Sequence, residues 1–212
     1  HDALPICKTK IPAYNFHVAF KGRDKNDGKA VIEVSKNGGR IVYLLDNRAI
    51  GKPTLDINKA VKGGSEFIGK IGYKNMESTY VLNYDNTVVV SYVYKQGEVA
   101  IYPDQVKLKI ALDDGSIIGI ESEKFLVSHV EKRKDIKPKI TVEKAQEKVG
   151  KRLKINKTSL AIIPTETNKE VLCYEFLGSY KGKDFIVYIN ANTGYEQRII
   201  EIINTPNGKL TI

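Results

Sequence analysis

The stretch Asp184-Phe-Ile-Val-Tyr-Ile-Asn-Ala-Asn-Thr-Gly194 decides how the rest of the chain is read. Phe185, Val187 and Ile189 are apolar and spaced by two, as one buried face of a strand requires. Asn192-Thr-Gly194 then supplies the positive φ that a tight hairpin turn needs. Two earlier places carry the same arrangement. Ala30, Ile32 and Val34 precede Asn37-Gly-Gly39, and Val106, Leu108 and Ile110 precede Asp113-Asp-Gly115. The closing glycines, Gly39, Gly115 and Gly194, stand 76 and 79 residues apart, and five residues beyond them come Leu44, Ile120 and Ile199. Each glycine therefore closes a β-hairpin with the same inward-facing set, which is the signature of an internal repeat.

Working outward, a further strand precedes each hairpin, at 14–20, 87–94 and 171–176. Two copies also carry an earlier apolar segment, at 79–84 and 159–163. Before these, Ile57, Ala60, Gly64 and Ile68 lie on one helical stripe, and Val142, Ala145, Val149 and Leu153 repeat it. Thr54 and Thr141 are read as N-caps, with Asp56 and Glu143 in the first turn, where the helix dipole favours carboxylates. Gly63 and Gly64 cost a helix interior roughly 1 kcal/mol each relative to Ala. They either permit close packing on the sheet or mark a bend. The expected fold class is α+β: three tandem units, each a helix on a small antiparallel sheet of about four strands. The units are placed at 1–50, 51–130 and 131–212, with linkers near 49–53 and 128–138. The first unit has strands only, and its helix would lie upstream of His1.

Hydrophobic residues make up 42% of the chain and charged residues 28%, a globular composition rather than a disordered one. The formal net charge of +9 favours polyanions such as anionic lipid or cell-wall polymer, or else serves solubility. The densest basic run, Glu131-Lys-Arg-Lys-Asp-Ile-Lys-Pro-Lys139, has no interleaved aromatics and reads as a solvated linker, so nucleic acid is not expected as a partner. Of the two cysteines, Cys7 and Cys173, the second lies in an apolar strand and reads as a buried thiol. No stretch approaches the ~20 apolar residues of a membrane-spanning helix.

A search for chemistry finds no catalytic, cofactor-binding or metal-binding residue to assign. His1, His17 and His129 have no second His or Cys at metal-ligand spacing, and His129 reads as a surface residue beside the linker. Asp113-Asp114-Gly115 and Asp85-Asn86 read as turn chemistry, because neither has the alternating oxygen ligands of a calcium loop. Nucleophile elbow, P-loop and dinucleotide fingerprint are all missing from the sequence. Binding residues are unknown at this level. Tyr92 and Tyr94 are the sheet aromatics a partner surface would use, with packing between units the favoured reading.

The segment from Lys139-Ile-Thr-Val-Glu-Lys-Ala-Gln-Glu-Lys-Val149 through Gly194 resembles the PepSY domain. The order of units and the ending Ile199-Ile-Glu-Ile-Ile-Asn-Thr-Pro-Asn-Gly-Lys-Leu-Thr-Ile212 are similar to the C-terminal region of the YpeB family of spore germination proteins. The resemblance implies a non-enzymatic protein of endospore formers. Its N-terminal membrane anchor would lie outside this chain, and its extracytoplasmic part in the spore envelope, at the inner membrane or cortex. It also implies a partner, a SleB-type cortex-lytic enzyme that cleaves spore peptidoglycan, each protein depending on the other for accumulation. PepSY modules occur in metallopeptidase propeptides, where they restrain hydrolases. The rival expectations are a structural module gripping anionic cell-wall polymer, including peptidoglycan, and a propeptide-like peptidase inhibitor. A homodimer through an exposed edge strand is left open.

Overall fold

A computed structural model describes residues 11–21, 29–167, 169–205 and 208–211, so His1 and Cys7 lie outside the described residues. The described chain is α+β. Its strands are β1 (Ala13–Val18), β2 (Ala30–Ser35), β3 (Ile41–Asp46), β4 (Met76–Tyr84), β5 (Thr87–Gln96), β6 (Val99–Ala111) and β7 (Ile117–Glu121). They continue with β8 (Lys154–Pro164), β9 (Glu170–Tyr180), β10 (Lys183–Asn190), β11 (Glu196–Thr205) and β12 (Gly208–Thr211). Helices α1 (Ile57–Lys70), α2 (Glu123–Ser128) and α3 (Val142–Gln146) complete the list.

The repeat is visible in the strand register. Gly39, Gly115 and Gly194 adopt φ of 60°, 78° and 77°, the left-handed region open to glycine. Beyond them Leu44 pairs with Ile32, Ile120 with Leu108 and Ile199 with Val187. The same positions of the repeat thus face each other in all three hairpins. Burial, however, is complete only in the middle copy, where Val106, Leu108, Ile110 and Ile120 are 0–1% exposed. Ile32, Val34 and Leu44 are half-buried in the first copy, and Ile199 in the third is 52% exposed, against its expected inward place.

The strands form one sheet, in the order β1-β2-β3-β7-β6-β5-β4-β12-β11-β10-β9-β8. Three pairings carry it across the expected linkers, one of them the antiparallel contact of β12 with β4 at Gly208 and Leu82. Antiparallel β3–β7 joins the first hairpin to the second, and parallel β6–β8 sets Val99, Ala100 and Ile101 against Leu160, Ala161 and Ile162. The sheet is therefore antiparallel except at this one junction. Two cores lie on its helix-bearing side. One gathers Ala60 and Ile68 of α1 over Val90, Tyr92, Leu108 and Ile110. The other gathers Ala145 and Val149 over Phe176, Val187 and Ile189, and also includes Tyr94, Val99 and Ile101 from β5 and β6.

α1 follows the expected stripe, burying Ala60, Gly64 and Ile68. Its N-cap is Asp56 rather than Thr54, since the Asp56 carboxylate accepts from the Lys59 backbone N–H at 2.9 Å, while the Thr54 hydroxyl donates to the Asp113 carbonyl. Thr141 caps α3 as expected, accepting from the Lys144 N–H. That helix nevertheless ends at Gln146 and does not run on to Leu153. Residues 142–153 must reach the next strand with about two helical turns fewer than 57–75 provide, so the chain leaves the helix early. Tyr92 is buried beneath α1 and Tyr94 in the second core, both packed between elements rather than displayed.

The double glycine in α1 resolves into two different residues. A Cβ on Gly64 would stand 2.6 Å from the Tyr92 hydroxyl oxygen and 2.8 Å from Ile110 Cδ1, whereas one on Gly63 would meet nothing within 4 Å. Gly64 is thus a close-packing residue. In urea unfolding, Gly64→Ala is expected to lose about 1–3 kcal/mol through overpacking. Gly63→Ala should gain about 0.5–1 kcal/mol from helix propensity.

Candidate functional site

Polar side chains concentrate where β6 changes partner. Its first half pairs with β8 and its second half with β7. Between these halves the register against β5 jumps from Ile101–Tyr94 to Gln105–Val93, so Tyr102, Pro103 and Asp104 bulge out. Proline suits such a place, having no N–H to lose from the ladder. The bulge turns Asp104 and Tyr102 into separate polar clusters.

Asp104 is fully buried, and three donors converge on it. Arg133 binds it through Nη1 at 2.9 Å and Nη2 at 2.7 Å, and His129 Nδ1 lies 2.7 Å from the same carboxylate. Arg133 also grips Glu170, at the start of β9, through Nε and Nη2 at 2.7 Å each. Its backbone N–H donates to Gln96 at the end of β5, whose side-chain amide donates back to the Arg133 carbonyl. The His129 ring stacks on Phe125 at 4.2 Å between centroids and meets the Tyr94 ring edge-on at 4.8 Å. One arginine, through its guanidinium and its backbone, thus ties β5, β6, β9 and the segment after α2. Burial alone would weaken the Arg133 proton, but its bonds to Glu170 and Asp104 outweigh that and hold it charged.

Tyr102 reaches the second cluster. Its hydroxyl and that of Tyr188 donate to Glu175 Oε2 at 2.7 and 2.8 Å, and the Ser159 hydroxyl donates to Oε1 at 2.9 Å. Burial is the main cause that raises both phenols well above their ordinary range, with the nearby Glu175 charge contributing to each. For Tyr188 the neighbouring Tyr102 adds to this. Next to them Cys173 is a fully buried free thiol, pushed up to about 12 by burial and Glu175. Such a thiol is unreactive at neutral pH.

A third cluster pins 49–53 to the β6–β7 turn. Arg48 binds Asp113 bidentately at 2.7 and 2.8 Å and Asp114 at 2.7 Å, and the Gly51 N–H donates to Asp113. The guanidinium holds the Asp113 carboxyl well below the usual carboxylate range. The three clusters share one character: each carboxylate is matched by donors, and among the described residues every buried side-chain nitrogen or oxygen has a hydrogen-bond partner. Among those residues no group of three His, Cys, Asp or Glu could hold a metal ion. This is chemistry suited to fastening strands.

Several residues take roles that their sequence context concealed. Arg133, expected in a solvated linker, is 7% exposed, because Asp104 and Glu170 draw it inward. His129, expected at the surface, is enclosed on two sides by Phe125 and Tyr94. Asp113 and Asp114 form the expected turn and in addition bind Arg48, and Asp85-Asn86 turns with φ of 42° and 61°. His17 sits exposed on β1. Asp104, Glu170 and Glu175 stand in no local pattern that marks them as partners of distant residues. The available signal was Pro103-Asp104, a strand-breaking pair inside an apolar run.

Comparison with known proteins places this architecture. Residues 6–137 match the family model described as YpeB sporulation, PepSY1 and PepSY2 domains, and residues 139–199 match the PepSY model, peptidase propeptide and YPEB domain. The chain belongs to the YpeB family. The sporulation protein YpeB of Bacillus subtilis is 37% identical over 84% of this chain, and that of Halalkalibacterium halodurans 32% identical over 79%. The chain spans 40% and 37% of the lengths of these two YpeB proteins. The solved Bacillus megaterium YpeB C-terminal domain superposes with a TM-score of 0.77 at 30% identity, covering 93% of this chain and 92% of that one. YpeB membership assigns the chain a sporulation-related role.

Removing Arg133 should leave Asp104 as an uncompensated buried charge. Arg133→Met is expected to cost about 3–5 kcal/mol in urea unfolding, and adding Asp104→Leu should recover part of it. The Arg48–Asp113 pair has a defined pH signature, because the native Asp113 pKa is depressed below its unfolded value. Its stabilisation is complete above the unfolded carboxylate pKa of about 3.9 and is lost as pH falls from there through the native value. Asp113→Asn should therefore be destabilised at neutral pH, and its deficit should shrink on acidification.

Proposed function

We propose that this chain is a non-catalytic binding and regulatory module of spore germination that stabilises or restrains a SleB-type cortex-lytic, peptidoglycan-cleaving enzyme. YpeB membership and the propeptide-type PepSY match over 139–199 support this reading. The observation that carries it is the complete internal pairing of the charged clusters. Asp104, Arg133, Glu170 and Glu175 are committed to joining strands, so the sheet offers a rigid surface for recognition. We place the full-length protein at the extracytoplasmic face of the spore inner membrane or in the cortex. The modules in this reading are 1–50, 51–130 and 131–212.

A second reading has its own support. Residues 131–157 hold eleven Lys and Arg against four Asp and Glu, and apart from Arg133 all the basic ones are exposed. Such a belt suits anionic cell-wall polymer. Salt separates the two, because charge-driven binding weakens steeply with ionic strength, while docking through apolar surface does not.

Titration of the chain against the purified hydrolase at low and moderate salt, with cortex cleavage followed in parallel, tests the proposal. The expected result is saturable binding that survives salt and a change in hydrolase activity or lifetime. Absence of binding by the folded chain at either salt would sink it. Cleavage of cortex by the chain alone would overturn the non-catalytic part.

A further inference from the structure

The three hairpin turns share one frame but differ in what they do with their peptide N–H groups. Ser35, Ala111 and Asn190 stand at the same place, each donating its backbone N–H to a carbonyl five residues on, at Arg40, Ser116 and Tyr195. Asn37, Asp113 and Asn192 therefore correspond, and so do the residues that follow them, Gly38, Asp114 and Thr193. In the last copy Asn190 Oδ1 accepts from the N–H of Asn192 at 2.8 Å and from that of Thr193 at 3.0 Å. In the middle copy the Asp113 carboxylate is held by Arg48. The first copy has Ser35 where Asn190 stands, and its hydroxyl serves different groups. Ser35 Oγ accepts from the Arg40 N–H at 2.9 Å and donates to the Asn37 carbonyl oxygen at 2.7 Å.

That leaves an uncapped nucleophile beside an electrophile. Among the described residues neither the Gly38 N–H nor the Asn37 side-chain amide has a hydrogen-bond partner. Both residues are exposed, and a Cβ on Gly38 or Gly39 would meet nothing within 4 Å, so the turn has room to bring the Gly38 nitrogen onto Asn37 Cγ. Glycine carries no Cβ of its own to hinder that approach. The carbonyl that Ser35 binds belongs to the same peptide unit as the Gly38 nitrogen. When this nitrogen loses its proton, negative charge develops on the Asn37 carbonyl oxygen, where a placed donor stabilises it. Ser35 is only 4% exposed and is fixed by the Arg40 N–H, so that donor is in position beforehand.

We propose that Ser35, Asn37 and Gly38 form a self-modifying site, at which the chain deamidates its own Asn37. The Gly38 N–H gives its proton to hydroxide, the freed nitrogen lone pair forms a bond to Asn37 Cγ, and the Cγ–Nδ2 bond breaks. Nδ2 takes a proton from water and leaves as ammonia. One water then opens the succinimide ring, and no oxidation state changes in either step. Attack at Cγ gives aspartate, and attack at the backbone carbonyl gives isoaspartate, in which the main chain runs through the side-chain methylene. Either product places a carboxylate between Lys36 and Arg40 in the sequence and lowers the net charge of +9 by one. Isoaspartate also lengthens the turn that sets the β2–β3 register.

The test incubates the folded chain in mildly alkaline buffer made with heavy-oxygen water, then maps its peptides by mass and detects isoaspartate by enzymatic methylation. Asn37 is expected to convert with uptake of one solvent oxygen, to yield both aspartate and isoaspartate, and to outpace Asn192 severalfold. The same chain unfolded in urea should convert Asn37 more slowly, because Ser35 no longer stands at the carbonyl. Ser35→Ala should slow the folded chain severalfold, and Ser35→Thr, which keeps the hydroxyl, should restore the rate. The second Asn-Gly step of the sequence, Asn207-Gly208, is the internal control and should keep its rate in both variants. Faster conversion of Asn37 in urea than in the folded chain, a parent-like rate in Ser35→Ala, or equal slowing at Asn207 overturns the proposal. The urea comparison decides even where Ser35→Ala loosens the hairpin, since it needs no variant.

Discussion

The Asp104–Arg133 pair is the constraint on which the rest of the structure depends. A carboxylate with no solvent exposure is stable in a protein interior only when its charge is met and its lone pairs are filled. Arg133 does both in a planar, bidentate contact, and its remaining donors take Glu170. Because those three residues come from the β6 bulge, the segment after α2 and the start of β9, satisfying one charge sets the relative positions of three parts of the chain. The pairing of β6 with β8 and the packing of Tyr94 into the second core both lie beside this contact.

The three repeats show how one pattern of apolar residues yields three levels of burial. Register is shared, since glycine, strand spacing and turn chemistry are local and recur together. Burial is not shared, because it depends on what lies above the strand. In the middle copy α1 covers the wall and Gly64 lets it approach to contact distance. In the last copy a shorter connection ends the helix after Gln146, and Phe185 is left half-buried and Ile199 exposed, while Val187 and Ile189 stay buried.

This explains which parts of the fold were legible in the sequence. Hairpin glycines, strand alternation and the α1 stripe are short-range signals, and Gly39, Gly115, Gly194, Ala60 and Ile68 all stand where spacing put them. α3 is shorter than its apolar spacing implies, because Val149 and Leu153 keep helical spacing while being held by turns. The cap of α1 was displaced by two residues because Asp113 competes for Thr54. The candidate site was scarcely legible at all: Arg133 sits among lysines that are solvated, and only the fold reveals the carboxylates that set it apart. Asp104 and Glu170 meet it across 29 and 37 residues of sequence, a distance no local pattern spans.

A strand shared between two neighbouring hairpin arrays also bears on how the polypeptide is made. The first half of β6 finds its second neighbour only when β8 has been synthesised, more than fifty residues later. Until then the nascent chain carries an open apolar edge at Val99–Ile101, although the counter-ion of Asp104, Arg133, has already been made. Repeats of this kind cannot be added or removed like beads on a string, because each cut through 129–154 would orphan an edge, and one before Arg133 a buried charge as well. Unlike a solenoid built of self-contained neighbours, this sheet reaches its resting state only when its last third is complete.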